Sequence, residues 1–195
     1  MAAVVVSAFD YKYSRDLTLP TQSFAVGVRD LCDKIGAILI VDDVRAGFRI
    51  STKGSWFGMF EIKPDLLCYA KALGNGYAIS ALLGSNNCRK GAETIFAMGT
   101  YWSSACAHVA AYTTLNIIEK ENIIEKINQS GKILKLGLLK QAEEMELKVM
   151  ITGPDAMPFI TFEGDMPYNR PRAHSFSLEC AEGGILVFPE LNWFL

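Results

Sequence analysis

Two apolar runs of strand length, each followed by charged residues, constrain this chain more than any other feature. Residues 38–41 are followed by Asp42 and Asp43, and residues 66–70 are followed by Lys71. Continuous apolar runs of this length are typical of parallel strands covered on both faces. We interpret the two runs as parallel strands that bring opposite charges to one edge of a sheet, where open α/β sheets bind their ligands.

The residues before the first run indicate an α/β fold with a mostly parallel sheet. Residues 2–6 are a continuous apolar run. Between residues 22 and 35 the apolar side chains recur at helical spacing, and Gly36 stands where a C-terminal cap belongs. Strand, helix and strand in this order predict a βαβ unit, in which the two strands are parallel.

The remaining segments predict further helices and strands, separated by connections at residues 11–21 and 44–63. We expect strands at residues 79–83, within 148–163 and at 185–188, and helices at about 103–119, 122–146 and 175–182. Gly153 and Pro154 interrupt the later strands and suggest a change of subdomain. The predicted division is a large domain over residues 1–120, followed by a linking helix and a smaller domain over residues 121–195.

Composition excludes several classes of protein. The 195 residues are 50% hydrophobic with a formal net charge of -2, and the basic residues are scattered, so no nucleic-acid partner is expected. Apolar runs are too short to cross a bilayer, so no membrane partner is expected either. The five cysteines show no C-x-x-C spacing, which favours a reduced, metal-free protein of the cytoplasm.

Lys71 is a candidate for covalent chemistry. Apolar residues precede it and the turn of residues 74–76 follows it, so its ammonium group is expected in a confined mouth where desolvation lowers its pKa. Such a lysine can form a Schiff base with a carbonyl compound. The alternative is an ordinary solvated lysine at a strand end.

Asp42 and Asp43 also have two interpretations. Acids after a strand commonly form turns or cap helices. Alternatively, Asp42 pairs with a cation at the end of the buried strand, and the protonated ring nitrogen of pyridoxal 5'-phosphate is such a cation. Lysine and aspartate together would then meet the two main demands of that cofactor.

Three blocks in this order carry a family resemblance, and they are far more specific together than singly. They are residues 42–49, residues 63–76 and residues 99–101. The set resembles the class III pyridoxal-phosphate-dependent aminotransferases, most closely glutamate-1-semialdehyde aminomutase and its relatives, over residues 2–195. This resemblance implies the fold of the aspartate aminotransferase superfamily (fold type I), with a large cofactor-binding domain and a small C-terminal α+β domain, both partial here.

The resemblance also implies roles for individual residues. By position, Lys71 resembles the Schiff-base lysine, Asp42 the partner of the pyridine nitrogen, and Val44 a residue packed on the cofactor ring. Gly99 and Thr100 resemble the segment that reaches the cofactor phosphate from the neighbouring subunit, which implies a homodimer. An ordinary helix entry is the alternative for Gly99 and Thr100. The implied reaction is transamination, or intramolecular amino transfer, on a small amino substrate.

Several positions depart from the family pattern. Asp43 replaces the usual glutamate, Arg45 stands where many members have glutamine, and residues 7–9 replace a Glu-Pro pair. The family's N-terminal half, with its phosphate-binding turn and its ring-stacking aromatic residue, has no counterpart in these 195 residues, nor has its final helix. We therefore expect an incomplete chain that is inactive alone.

Other protein classes fit less well. A response-regulator receiver domain needs an aspartate at the end of the second strand, where residues 68–70 supply none, and a nucleotide-hydrolysing domain needs a phosphate-binding G-x-x-x-x-G-K-[ST] loop, which is missing. A noncatalytic remnant of the aminotransferase fold, acting as an interaction module, stays open as an alternative.

Overall fold

The computed structural model describes residues 2–12, 16–166, 169–191, 193 and 195. Its strands are β1 (Ala3–Ser7), β2 (Asp10–Lys12), β3 (Asp16–Thr18), β4 (Ile38–Asp42), β5 (Leu66–Tyr69), β6 (Ala81–Gly84), β7 (Val149–Thr152) and β8 (Phe159–Phe162). Its α-helices are α1 (Gln22–Ile35), α2 (Ser55–Phe60), α3 (Arg89–Thr94), α4 (Ala105–Glu121), α5 (Ile123–Glu144) and α6 (Pro171–Glu182). Two short 3₁₀ helices, Lys71–Leu73 and Asn86–Cys88, complete the set of described helices.

A four-stranded sheet in the order β1-β4-β5-β6 positions the predicted site residues. β1 pairs parallel to β4 from Ala3 opposite Ile38, and β4 pairs parallel to β5, whereas β6 runs antiparallel to β5. The predicted α/β fold with a mostly parallel sheet is therefore confirmed.

Helix α1 forms where the local signals predict it. Its N-terminal cap, Thr21, accepts a hydrogen bond from the Phe24 N–H at 3.2 Å, and Gly36 ends the helix with φ of 66°. The apolar side of α1 buries Ala25 and Cys32 in one cluster with the sheet residues Leu39 and Val41 and the α2 residue Trp56. This core covers one face of the sheet.

The other face of the sheet carries Asp42. Paired residues of neighbouring strands point to the same face, so Asp42 shares its face with its partner Cys68 and with Leu82, which pairs with Cys68. Leu82 is 60% exposed, and Val5 on the same face is 65% exposed. Asp42 therefore projects from an open, largely apolar sheet surface.

The chain divides into two compact units. The first comprises residues 1–8 and 20–124 and contains the four-stranded sheet; the second comprises residues 9–19 and 125–195. In the second unit, Leu17, Ala156, Met157 and Phe159 are among the buried residues. The predicted domain division near residue 120 stays a prediction, because compactness alone does not establish a domain boundary.

Three local predictions need correction. The connection at residues 11–21 contains parts of an antiparallel pair, β2 and β3, and the irregular stretch 44–63 contains α2. Helix α6 begins four residues earlier than predicted, since Pro171 suits a first helical position and the Asp165 carboxylate accepts the backbone N–H groups of Arg172 and Ala173 at 3.1 and 3.0 Å.

The strand predicted at residues 185–188 is also wrong. The Ile185 N–H donates to the Cys180 carbonyl at 2.8 Å, and the Val187 carbonyl accepts the Ser177 hydroxyl at 2.6 Å, so this segment bonds to α6 instead of a sheet. Leu186 is 91% exposed.

None of the helices in the described part of the chain combines the length and the apolar character that crossing a membrane requires.

Candidate active site

Asp42 stands at the carboxyl end of β4 with its carboxylate exposed to solvent. The Val44 N–H donates to Asp42 Oδ1 at 3.0 Å, and the other carboxylate oxygen accepts no hydrogen bond from the described residues. The turn therefore orients the carboxylate and leaves one oxygen available to a ligand. This brings Asp42 and Val44, two of the predicted site residues, together.

Lys71 follows the carboxyl end of the neighbouring strand β5, in a left-handed backbone conformation with φ of 45°. Such a conformation costs a non-glycine residue roughly 1–3 kcal/mol and persists where the surroundings enforce it. Here the Lys71 carbonyl accepts the N–H groups of Gly74 and Asn75 at 3.1 and 3.0 Å. The side chain is exposed, so the apolar residues before it do not enclose it as the sequence suggested.

Asp42 and Lys71 lie at the same edge of the sheet. Asp42 pairs with Cys68 in the parallel register, and Lys71 comes three residues later. The sheet thus places an oriented carboxylate and an exposed primary amine after the ends of adjacent parallel strands. These are the groups needed to bind a protonated ring nitrogen and an aldehyde.

Asp43 has the opposite environment, since it is fully buried. Ser55, the first residue of α2, donates its N–H to Asp43 Oδ2 at 2.7 Å and its hydroxyl to Oδ1. Burial raises the pKa of Asp43 above its ordinary value, the two hydrogen bonds from Ser55 oppose that shift, and the negative charge of Asp42 adds to it. The Asp43 N–H also donates to the Cys68 carbonyl at 3.0 Å, which links the end of β4 to β5.

Tyr69 packs the loop after β4 against β5. Its ring stacks on Phe48, with the centroids 4.7 Å apart. Gly47 lies so close that a Cβ atom there would overlap the Tyr69 ring and come within 2.8 Å of the Asp43 carbonyl oxygen. Burial, together with the charge of Asp43, raises the pKa of Tyr69 to about 12, so the phenol stays neutral at physiological pH.

Gly99 and Thr100 lie in a different place from the other predicted residues. They line an open groove of about 630 Å³ together with Ser80 and His108, and neither Asp42 nor Lys71 lines it. Both residues are exposed, and no described residue hydrogen-bonds the Thr100 hydroxyl. The structure therefore brings Asp42, Val44 and Lys71 to one edge of the sheet and leaves Gly99 and Thr100 in this groove.

Sequence reasoning missed Ser55 and Tyr69. The signal for Ser55 was present, because Gly54 and Ser55 precede a largely apolar run at residues 56–60, a pattern that can begin a helix. Nothing in the sequence predicts that Ser55 bonds to Asp43, 12 residues earlier. Tyr69 was missed because aromatic residues are common in strands, so its position in the apolar run carried no separate signal.

Comparison with known proteins identifies the family. The profile of the class-III aminotransferases matches residues 12–190. The chain belongs to the class-III aminotransferases. The fold agrees, since the structure of the Sphingopyxis sp. MTA144 FumI protein, in its PLP internal aldimine form, superposes with a TM-score of 0.92 at 42% identity and covers 99% of this chain and 46% of that chain.

Two curated aminotransferases are similar along most of this chain. The aminopentol aminotransferase of Sphingopyxis macrogoltabida is 41% identical over 195 residues, which are 100% of this chain and 46% of that protein. The 3-aminobutyryl-CoA aminotransferase of Cloacimonas acidaminovorans is 31% identical over 166 residues, 85% of this chain and 40% of its own length. The chain therefore spans less than half the length of these relatives.

The expected proximity to the aminomutase branch is wrong. Glutamate-1-semialdehyde 2,1-aminomutase of Methanothrix thermoacetophila is 29% identical over 173 residues, well below the 41% identity to the aminopentol aminotransferase. The resemblance therefore identified the class and not the branch within it.

Proposed function

We propose that this chain supplies cofactor-binding residues of a pyridoxal-phosphate-dependent enzyme that transfers an amino group between small molecules. The observation that carries the proposal is the placement of Asp42 and Lys71 after adjacent parallel strands, with one Asp42 oxygen and the Lys71 amine both exposed. The residues present fit pyridoxal phosphate, because an unpaired carboxylate oxygen and a primary amine are the chemistry it requires.

Each residue of the proposed site has a definite task. Bound pyridoxal phosphate supplies an aldehyde and an electron-withdrawing ring. Lys71 would hold the cofactor through its amine, and as a free amine it would move a proton to and from the substrate as general acid and base. Asp42 would bind the ring nitrogen and favour its protonated form, and Val44 would contact the ring.

The phosphate contacts are proposed to come from a second copy of the chain. The Thr100 hydroxyl and the backbone N–H groups near Gly99 are groups that bind phosphate. Their position in a separate groove is compatible with reaching a neighbouring subunit, as expected for a homodimer. All five cysteines are free, which supports a reducing location such as the cytoplasm.

Transfer to a second substrate is favoured over internal amino exchange. The proposal takes its support from the 41% identical relative, an aminotransferase, against 29% for the aminomutase of Methanothrix. Measuring formation of a new amine from a separate keto acceptor distinguishes the two reactions.

A covalent label tests the role of Lys71. The product of the natural gene is incubated with pyridoxal phosphate, reduced with borohydride and digested. The pyridoxyl mass is expected on the peptide that contains Lys71. A matched Lys63→Ala variant should keep the label, because Lys63 lies before β5, whereas Lys71→Ala should lose it. Label on another lysine that survives in Lys71→Ala contradicts the assignment.

Exposed apolar residues between positions 95 and 102 favour the alternative of a noncatalytic interaction module. Ile95, Phe96, Met98, Tyr101 and Trp102 are all more than 60% exposed, and exposed apolar patches commonly mark interaction surfaces. A chain that binds no pyridoxal phosphate yet forms a defined complex through residues 95–102 would favour the interaction module.

A further inference from the structure

We propose that Asp43 is a positioning residue, which acts with Ser55 to hold the Asp42 carboxylate in its orientation at the sheet edge. The inference rests on the proposed role of Asp42 toward the cofactor. It assigns a function to the buried acid that stands beside the candidate ligand-binding acid, and it explains why two adjacent carboxylates occur at one strand end.

The orientation of Asp42 depends on the turn that follows it. Its carboxylate is exposed, and the Val44 N–H, at 3.0 Å from Oδ1, is its hydrogen-bond donor among the described residues. An exposed carboxylate with one donor turns freely if that donor moves. The position of the Val44 backbone therefore sets the direction in which Asp42 points.

Asp43 fixes the backbone on both sides of itself. Its N–H donates to the Cys68 carbonyl at 3.0 Å, and its carbonyl accepts the Gly47 N–H at 2.8 Å. Val44 lies inside the turn that the second bond closes. Movement of Asp43 would consequently change both the contact with β5 and the direction of the Val44 N–H.

The Asp43 side chain then closes the whole loop of residues 44–54. Both of its oxygens accept hydrogen bonds from Ser55, one from the N–H at 2.7 Å and one from the hydroxyl. Both residues are fully buried, so water cannot replace these bonds without opening the loop. A buried polar group that loses its partner is costly, which makes the pair a strong constraint.

Gly54 allows the loop to reach Asp43. Its backbone has φ of 96°, and a Cβ atom there would come within 2.9 Å of Leu67 Cδ2 and 3.5 Å of Asp43 Oδ2. A side chain at this position would push Ser55 away from the carboxylate. The loop is thus closed by the buried Asp43 and by Ser55 at the start of α2, and the glycine at position 54 leaves room for their contact.

The rate of trypsin cleavage measures how firmly the loop of residues 44–54 is closed, and this experiment needs no cofactor. Arg45, Arg49 and Lys53 lie in the loop and are potential cleavage sites. Ser55→Ala removes the hydroxyl bond, and hydrogen bonds to charged groups are strong enough that cleavage in the loop should accelerate roughly tenfold. Ser51→Ala is the matched control, since it removes a hydroxyl of the same loop that bonds to the Lys53 N–H and not to Asp43. The control should be cleaved after Arg45 and Arg49 at the wild-type rate, since the lost bond adjoins only the Lys53 site.

A second readout tests positioning in the product of the natural gene with pyridoxal phosphate. Ser55→Ala should keep the pyridoxyl label on Lys71 but lose about tenfold in kcat, with KM changed less than about twofold, because Asp42 is misdirected and Lys71 is not. Ser55→Thr keeps the hydroxyl and should restore kcat. Asp43→Asn provides an independent variant, and a cooperative thermal unfolding transition in each variant shows that the protein is folded.

The outcomes separate the inference from the proposed function. Unchanged loop cleavage in Ser55→Ala overturns the inference, and so does faster cleavage with unchanged kcat in a labelled enzyme. Absence of the label in the wild type overturns the proposed function, and with it the role toward Asp42.

Discussion

At the scale of single residues, neighbouring acids of one strand end have different fates. Side chains alternate between the faces of a strand, so Asp42 projects from the open face of the sheet and Asp43 enters the core. The exposed acid keeps an oxygen available for a ligand, and the buried acid uses both oxygens on Ser55. We therefore expect substitution of Asp42 to affect turnover and substitution of Asp43 to affect stability.

Asp42→Asn should retain the cofactor and lose turnover. The amide keeps the size of the side chain but removes the charge that favours a protonated ring nitrogen. Electrostatic terms of this kind are worth about 3 kcal/mol, so kcat should fall on the order of a hundredfold. The measurement is kcat in a labelled enzyme. Near-normal turnover would show that another group binds the ring nitrogen.

Asp43 should make the free energy of unfolding depend on pH. Burial raises its pKa in the folded protein above the ordinary 3.8, so the folded state binds the proton more tightly than the unfolded state. Stability must then decrease as pH rises from the ordinary pKa to the raised one, and it stays constant above that range.

Urea titrations of the wild type and Asp43→Asn at a series of pH values check this expectation. The asparagine does not titrate, so the stability of the wild type relative to the variant should decrease from about pH 4 upward. A difference that is independent of pH would contradict the raised pKa. The same titrations on Asp33→Asn provide a comparison, because Asp33 is an exposed acid that pairs with Arg29.

At the scale of elements, the loop between β4 and α2 depends on close packing against β5. Gly47 lies against the Tyr69 ring, and Phe48 stacks on the same ring with positive φ of 62°. This packing joins the loop after Asp42 to the strand that precedes Lys71. Disturbing it should destabilise the sheet edge.

Gly47→Ala should lower the free energy of unfolding by roughly 1–3 kcal/mol, because the added methyl group overlaps the Tyr69 ring. Gly27→Ala, in α1, is the matched control. It meets no atom within 4 Å, and alanine is favoured over glycine inside helices by roughly 0.5–1 kcal/mol, so this variant should be more stable. Chemical denaturation of both variants measures the change in the free energy of unfolding, which should be negative for Gly47→Ala and positive for Gly27→Ala. Equal effects would contradict the packing argument.

At the scale of the whole molecule, large apolar side chains remain uncovered. Phe96 is 89% exposed, and four other large apolar residues between positions 95 and 102 are also mostly exposed. An apolar patch of this kind favours contact with another surface. The chain also spans only 46% of its 41% identical relative.

The 195-residue chain expressed alone should therefore self-associate. Phe96→Ser together with Met98→Ser should lower the apparent mass measured by size exclusion with light scattering. Met145→Ser replaces a comparably exposed methionine, 70% against 80% for Met98, outside this segment and should have a smaller effect. A monodisperse monomer in the wild type would contradict the prediction.

The sequence by itself determined the features that depend on local order. Helix α1 lies at the predicted residues because apolar spacing and the Gly36 cap act over a few positions, and the parallel strands β4 and β5 follow from their continuous apolar runs. The blocks around Asp42 and Lys71 were also sufficient to identify the family, although not its branch.

Only the tertiary structure decided which distant residues meet. Residues 185–188 have the composition of a strand but bond to α6, and residues 9–19 belong to a compact unit with residues 125–195. The pairing of Asp43 with Ser55 and the packing of Gly47 on Tyr69 likewise join residues that no periodicity connects. Such contacts depend on the complete path of the chain, because the burial that makes them favourable exists only after the surrounding elements have packed.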